Sequence, residues 1–169
     1  MNEHVEANSS IAGQPAAEHL AAEQAATEQI AGVLPITGQP CDPTAYGSDV
    51  LAVVGDGVFG LLVREYLVAG SRAPAARQHS RAVEMVRCEA QAAYYRIIEP
   101  YLTEEEQGVF RRGRNHHAPH TPRRNVADYR TATGLEALFG YLYLCGRRER
   151  LRTLFLRCVG EIPAEEQEE

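Results

Sequence analysis

Between residues 48 and 159, apolar residues recur three or four positions apart, the spacing of one face of an α-helix. No alternation typical of a β-strand extends over a useful length, so the pattern predicts an all-α fold. The first helix is expected to be capped by Ser48 or Asp49 and to end at Gly70. Its apolar positions surround most of the cylinder, which predicts a largely buried helix: Leu51, Val53, Val54, Val58, Phe59, Leu61, Leu62 and Val63.

The rest of the pattern predicts further helices. A second helix is expected from Pro74 to Ile98 without a break. Thr103 and Glu106 have the spacing of a capping box, which predicts a helix to Arg112. A polar loop should follow from Gly113 to Val126. The next helix is expected to begin at Asp128 or Thr131 and to end at Gly146, and the last should run from Arg148 to Val159.

Composition separates this helical part from two acidic ends. Residues 1–44 are rich in Ala and Glu with few large apolar side chains, so we expect a flexible tail, and 161–169 form a second acidic tail. We expect one folded domain at 45–160. The chain has no apolar stretch long enough to span a membrane, and its first residues lack the features of a secretion signal. The four scattered cysteines are expected to be reduced, and the cytoplasm is the expected compartment.

The net charge of −6 conceals an uneven distribution. All 17 basic residues are arginines between Arg64 and Arg157, a span that holds ten acids. Residues 1–63 hold eight acids and no base, and 158–169 hold five acids. A basic body indicates a polyanionic partner such as a nucleic acid. The charge alone leaves a second interpretation open, in which the arginines only solvate the surface.

Two acids lie in matching apolar settings. Asp56 and Glu136 are each followed by a Phe three residues later and a Gly four residues later. Neighbouring helices pack about 8–10 Å apart, so two inward carboxylates can meet at one cation. Carboxylate oxygens suit Mg²⁺, which often takes one or two protein carboxylates together with phosphate oxygens.

Glycines accompany both acids, and a glycine inside a helix costs about 1 kcal/mol relative to alanine. Close approach of a second helix, or of a substrate backbone, would explain their presence: Gly55, Gly57, Gly60 and Gly140. A purely structural alternative remains open, in which each acid pairs with an arginine and the glycines only ease helix packing.

The segment 111–125 is rich in groups that bind RNA. Guanidinium groups bind phosphate bidentately, and Asn or His can bond 2′-hydroxyls or base edges. The candidate RNA-binding residues are Arg111, Arg112, Arg114, Asn115, His116, His117, Arg123 and Arg124. An exposed, solvated loop is the alternative. Zinc at the closely spaced histidines is disfavoured, because no cysteine pair or local acid completes a ligand set.

Four segments together resemble Mini-ribonuclease III, a bacterial ribonuclease III catalytic domain without the double-stranded-RNA-binding domain. The resemblance covers roughly residues 45–159, in order and at the expected spacing. Its motifs are Leu51-Ala-Val-Val-Gly-Asp-Gly-Val-Phe59, Thr103-Glu-Glu-Glu106, Arg112-Gly-Arg-Asn115 and Thr133-Gly-Leu-Glu-Ala-Leu-Phe-Gly-Tyr-Leu-Tyr-Leu144.

The resemblance implies a homodimeric, Mg²⁺-dependent endonuclease with a helical ribonuclease III fold. It would cleave double-stranded RNA to 5′-phosphate and 3′-hydroxyl ends and mature the 23S ribosomal RNA precursor, with a ribosomal protein or the pre-ribosome as a further partner. Asp56 falls on the family's catalytic aspartate and Glu136 on its metal-binding glutamate. Longer ribonuclease III proteins have two further acids where this chain has Ala52 and Thr133, so the site is lean.

The short family itself usually has Gly-Asp-Ala, with an acid soon after. This chain has Gly-Asp-Gly, and Gly60 stands where that acid is common.

The sequence leaves one alternative function open and argues against another. A non-catalytic double-stranded-RNA-binding or ribosome-assembly module on the same fold remains an alternative. A di-metal bundle acting on small molecules is discounted, because the Glu-x-x-His spacing of that class occurs nowhere in the chain.

Overall fold

The computed structural model describes residues 41–116 and 125–161. These ranges contain six α-helices and two short 3₁₀ turns, at Pro43–Ala45 and Glu99–Tyr101, and no strand. The all-α prediction is confirmed. None of these helices is both long enough and apolar enough to cross a bilayer. The helices are α1 (Ser48–Gly70), α2 (Ala75–Val86), α3 (Cys88–Ile98), α4 (Glu104–Asn115), α5 (Val126–Leu144) and α6 (Arg148–Cys158).

Helix α5 is the central element and packs against α1, α3, α4 and α6. Every residue from Gly134 to Leu142 is buried except Glu136. Phe59 of α1 places its ring edge-on to Phe139 of α5 and to Phe155 of α6, with centroids 5.3 and 5.8 Å apart. The position of α5, the helix that carries Glu136, is therefore fixed from several sides.

The expected single helix from Pro74 to Ile98 is wrong. Arg87 has extended backbone angles (φ −67°, ψ 154°) and separates α2 from α3. An extended residue cannot continue the hydrogen-bonding ladder, so the carbonyl of Val86 needs another partner, and the side chain of Gln91 donates to it at 2.9 Å.

The other helix boundaries differ by a few residues from those predicted from the sequence. Gly47, not Ser48 or Asp49, caps α1. The capping box of Thr103 and Glu106 is confirmed, but α4 continues to Asn115, so the first residues of the expected loop are helical. Helix α5 begins two residues before Asp128, after Asn125 in the left-handed conformation (φ 55°).

A buried ion pair joins α4 to α6. Glu106 is only 2 % exposed, and Arg150 donates to both of its carboxylate oxygens at 2.9 and 2.8 Å. Arg150 also donates to the carbonyl of Tyr101 at 2.6 Å. Burial alone would raise the pKa of Glu106, but the bonds from Arg150 and Thr103 outweigh it and lower that pKa.

Candidate active site

Asp56 and Glu136 are brought together by a contact between two helix backbones. A Cβ built on Gly55 would lie 1.7 Å from the carbonyl oxygen of Glu136, and one on Gly140 would lie 2.0 Å from the carbonyl oxygen of Leu51. Only glycine permits so close an approach of α1 and α5. The expectation of close helix approach is therefore confirmed at these two glycines, and the residue after Gly55 is Asp56.

The other two glycines of α1 have no such role within one chain. A Cβ on Gly57 would meet nothing within 4 Å, and one on Gly60 would meet only the side chain of Arg64, at 2.9 Å. Close helix packing therefore explains the presence of Gly55 and Gly140, and it does not explain Gly57 or Gly60.

The two carboxylates differ in environment. Asp56 is exposed, in contrast to the inward orientation expected from the sequence, whereas Glu136 is largely buried. Burial raises the pKa of Glu136 to about 7, with a further increase from the negative charge of Asp56, while a hydrogen bond from Gln91 opposes the shift. Asp56 directly follows Gly55, whose backbone contacts Glu136, so its charge lies near that carboxyl group.

The donor chemistry of these two carboxylates suits a cation. Two neighbouring carboxylates repel each other, and a shared positive charge relieves that repulsion. Oxygen donors favour a hard divalent ion. Gln91 donates to Oε1 of Glu136 at 3.0 Å, which leaves Oε2 for a ligand bond. In the described ranges no cluster of three or more His, Cys, Asp or Glu side chains is placed to hold a metal, so an ion here would have only these two carboxylates as acidic ligands.

A second close contact holds the carboxyl end of α4 against α5, one residue from Glu136. A Cβ on Gly113 would lie 2.7 Å from Cβ of Ala137, and one on Gly134 would lie 2.6 Å from the ring of Phe110. Ala137 directly follows Glu136, so the carboxyl end of α4 is held against the turn of α5 that carries the acid. Arg112 and Arg114 flank Gly113 and are both exposed.

A cleft of about 400 Å³ opens between α3, α4 and α5. Arg96, Arg111 and Arg114 line it, together with Thr131. Arg96 also pairs with Asp128 at 3.2 Å, and Arg111 donates to Gln107 at 3.4 Å. The sequence argument included Arg111 and Arg114 but missed Arg96, which lies on a different helix.

The remaining predicted RNA-binding residues are only partly described. Asn115 is exposed at the end of α4, and the backbone N–H of the half-buried His116 donates to the carbonyl of Gly113. His117, Arg123 and Arg124 lie outside the described residues.

An apolar groove of about 840 Å³ runs between α1 and α6. Val58, Leu61, Leu62 and Leu156 contribute to its lining, and Leu61 is 59 % exposed. Val53, on the same helix, is 76 % exposed. The prediction that α1 is buried on most sides is therefore wrong for the single chain, because α5 and its neighbours cover only one side of α1.

Comparison with known proteins agrees with this geometry. The family model of the ribonuclease III domain matches residues 49–147, a range that contains both acids. A Mini-ribonuclease 3 from Thermoanaerobacter sp. (strain X514) is 44 % identical over 106 residues, 62 % of this chain and 75 % of that protein. The chain belongs to the Mini-ribonuclease 3 family.

Other relatives support the same assignment. The Mini-ribonuclease 3 of Brevibacillus brevis is 35 % identical over 125 residues, which cover 73 % of this chain and 93 % of that protein. A crystal structure of a Fusobacterium nucleatum protein superposes with a TM-score of 0.63 at 27 % identity, covering 70 % of this chain and 96 % of the other. The Mini-ribonuclease 3 fold is thus confirmed, and its members are endoribonucleases.

In this Mini-ribonuclease 3 domain, the two positions that carry extra acids in longer ribonuclease III proteins add no carboxylate to the acid pair. Ala52 is buried, and the hydroxyl of Thr133 donates to the carbonyl of Tyr129 at 3.1 Å. A residue that sequence reasoning missed is Gln91, which contacts Glu136 directly. The one indication in the sequence is that this polar residue lies on the apolar stripe of α3, four positions before Tyr95 and seven before Ile98.

Proposed function

We propose that this protein cleaves double-stranded RNA with Mg²⁺ held by Asp56 and Glu136. The observation that carries the proposal is the backbone contact of Gly55 with Glu136, which sets two acids side by side on a basic domain. When bound, Mg²⁺ supplies a Lewis acid for the scissile phosphate and an activated water. Hydrolysis, in which water adds to phosphorus and the P–O3′ bond breaks, would leave 5′-phosphate and 3′-hydroxyl ends.

The protein's own residues bind and orient the duplex. Arg112 and Arg114 lie at the end of α4, which packs against the turn of α5 that carries Glu136, and Arg96, Arg111 and Arg114 line the neighbouring cleft. Guanidinium groups hold phosphates without reading sequence, and A-form RNA presents its 2′-hydroxyls in a shallow minor groove. The proposed substrate is therefore recognised by shape. His117, Arg123 and Arg124 remain predicted RNA-binding residues.

Cleavage of both strands requires two copies of a site with one acid pair. The apolar groove between α1 and α6, with Leu61 exposed at its edge, supports a symmetric homodimer. Light scattering should give twice the chain mass, and Leu61→Arg should give monomers. Val83→Arg, at an exposed position on α2, is the control and should remain dimeric.

The proposed physiological substrate is the 23S ribosomal RNA precursor, either free or in the pre-ribosome, in the cytoplasm. The test is cleavage of a precursor stem in Mg²⁺, with mapping of both ends. Asp56→Asn should reduce the rate about 100-fold or more. Asp49→Asn, an exposed acid on the same helix, is the control and should cut normally. Cleavage by the Asp56 variant at the wild-type rate would refute the site.

A further inference from the structure

Gln91 is the most deeply buried polar side chain near the acid pair. It lies in the first turns of α3, is 1 % exposed and shares its helix face with Tyr95 and Ile98. Leucine or methionine would fill such a position without burying polar atoms. An amide there needs a reason that packing does not supply.

Both hydrogens of the Gln91 amide are used. Its Nε2 donates to the carbonyl of Val86 at 2.9 Å and to Oε1 of Glu136 at 3.0 Å. Reversing the amide would set its oxygen against two acceptors, so these two bonds fix its orientation. The side chain therefore links Glu136 to the break between α2 and α3.

The other polar atom of the Gln91 side chain, its oxygen, shows what this arrangement costs. Its Oε1 is buried and has no hydrogen-bond partner in the described part of the chain. A buried, unpaired oxygen carries an uncompensated desolvation penalty. The bonds to Val86 and Glu136 must offset this penalty, and only the bond to Glu136 reaches the proposed site.

We propose that Gln91 is a positioning residue that fixes the Glu136 carboxylate for a divalent metal ion. By donating to Oε1, the amide restricts the rotation of the carboxylate and leaves Oε2 available as a ligand. This inference rests on the proposed function, because it assumes that Glu136 is a metal ligand. Groups that orient metal ligands typically contribute 10- to 100-fold to affinity or activity.

The chain offers a matched control in Gln78. Its Nε2 donates to the carbonyl of Ser71 at the junction of α1 and α2, and its Oε1 is likewise buried without a partner in the described ranges. Ser71 follows Asp56 by 15 residues, roughly 22 Å along α1 at 1.5 Å per residue. The two glutamines share the same local role, and only Gln91 touches an acid of the site.

The test is Mn²⁺ binding to the full-length protein without RNA, measured by titration calorimetry. Gln91→Met should weaken binding about 10-fold or more, whereas Gln78→Met should leave it within twofold of wild type. In the Glu136→Gln background, Gln91→Met should have no additional effect, because the group it orients is gone. Raising Mg²⁺ should restore cleavage by Gln91→Met, which a general loosening of the fold would not permit.

Three results would overturn the inference: unchanged Mn²⁺ affinity in Gln91→Met, equal weakening in Gln78→Met, or a full effect in the Glu136→Gln background. If Gln91→Met does not fold by circular dichroism, the wild-type side-chain amides are followed by NMR instead. The Gln91 amide resonances should shift on addition of Mg²⁺ while those of Gln78 stay fixed, and an unmoved Gln91 would contradict the proposal.

The same series separates failure of this inference from failure of the proposed function. Cleavage by Asp56→Asn at the wild-type rate refutes the proposed site itself. An inactive Asp56→Asn combined with a Gln91→Met variant of normal Mn²⁺ affinity refutes only the role of Gln91.

Discussion

Gly55 and Gly140 meet backbone to backbone, so that a Cβ on Gly140 would lie 2.9 Å from the amide nitrogen of Gly55. The neighbouring atoms are backbone and cannot rotate away. Gly140→Ala should therefore force α1 from α5 and lower the free energy of unfolding by about 3 kcal/mol or more. Thermal and urea unfolding followed by circular dichroism measures this change.

The control for that experiment is Gly108→Ala in α4, where an added Cβ would meet only a side-chain atom at 3.5 Å. This variant should be neutral or gain up to about 1 kcal/mol from helix propensity. A Gly140→Ala protein as stable as Gly108→Ala would show that the helices can separate without cost.

A second prediction concerns stability and pH at Glu136. Its pKa is about 7 in the folded protein, above the ordinary 4.5, so folding favours its protonated form. That contribution is complete below pH 4.5 and is lost as pH rises through 7. In the absence of divalent metal, Glu136→Gln should therefore raise Tm by several degrees at pH 8.5 and by much less at pH 5.5. A pH-independent difference would contradict the assignment, and Glu84→Gln, at an exposed position, serves as control.

Catalysis should have the opposite dependence on pH. A protonated Glu136 cannot bind metal, so at limiting Mg²⁺ the single-turnover cleavage rate should rise as pH increases through about 7. Because metal competes with the proton, the midpoint should move to lower pH as Mg²⁺ is raised. A rate that is flat from pH 5.5 to 8.5 at limiting Mg²⁺ would argue against Glu136 as a ligand.

The Glu106–Arg150 pair should make the free energy of unfolding depend on pH in the acid range. The folded-state pKa of Glu106 is lowered, so its contribution is present above the ordinary pKa of 4.5 and is lost as pH falls below it. Glu106→Gln should cost about 1–3 kcal/mol at pH 7, since Arg150 and the cap at Thr103 lose a charged partner. Urea unfolding at pH 7 measures this cost. The exposed Glu104→Gln in the same turn should cost less than half as much.

The arginine cleft predicts a change in salt dependence. If Arg114 contacts a phosphate, Arg114→Gln should weaken duplex RNA binding and reduce the slope of log K against log salt by about 1. Fluorescence anisotropy with Ca²⁺ in place of Mg²⁺ provides the binding constants. Arg77→Gln, an exposed arginine of α2 that lines neither the cleft nor the acid pair, should leave the slope unchanged.

The sequence predicted the parts of this site that local pattern controls. A glycine inside a helix lowers the stability of that helix, so Gly55 and Gly140 could be assigned to a close approach of two helices. The capping box likewise predicted the start of α4. The break at Arg87 could not be predicted, because no glycine or proline marks it and the compensating bond from the Gln91 side chain to the carbonyl of Val86 leaves no recognisable pattern in the sequence. Arg96 was missed for a different reason, since it reaches the cleft from a different helix.

The contact of Gly55 with Gly140 also determines how mutations in this region will appear. The glycines that let the two helices pack also determine how close the segments that carry Asp56 and Glu136 come. If these acids form the proposed site, its assembly depends on the same contact as folding. Substitutions at these glycines should therefore reduce the amount of protein in a cell, whereas substitutions at Asp56 should leave a normal amount of inactive protein.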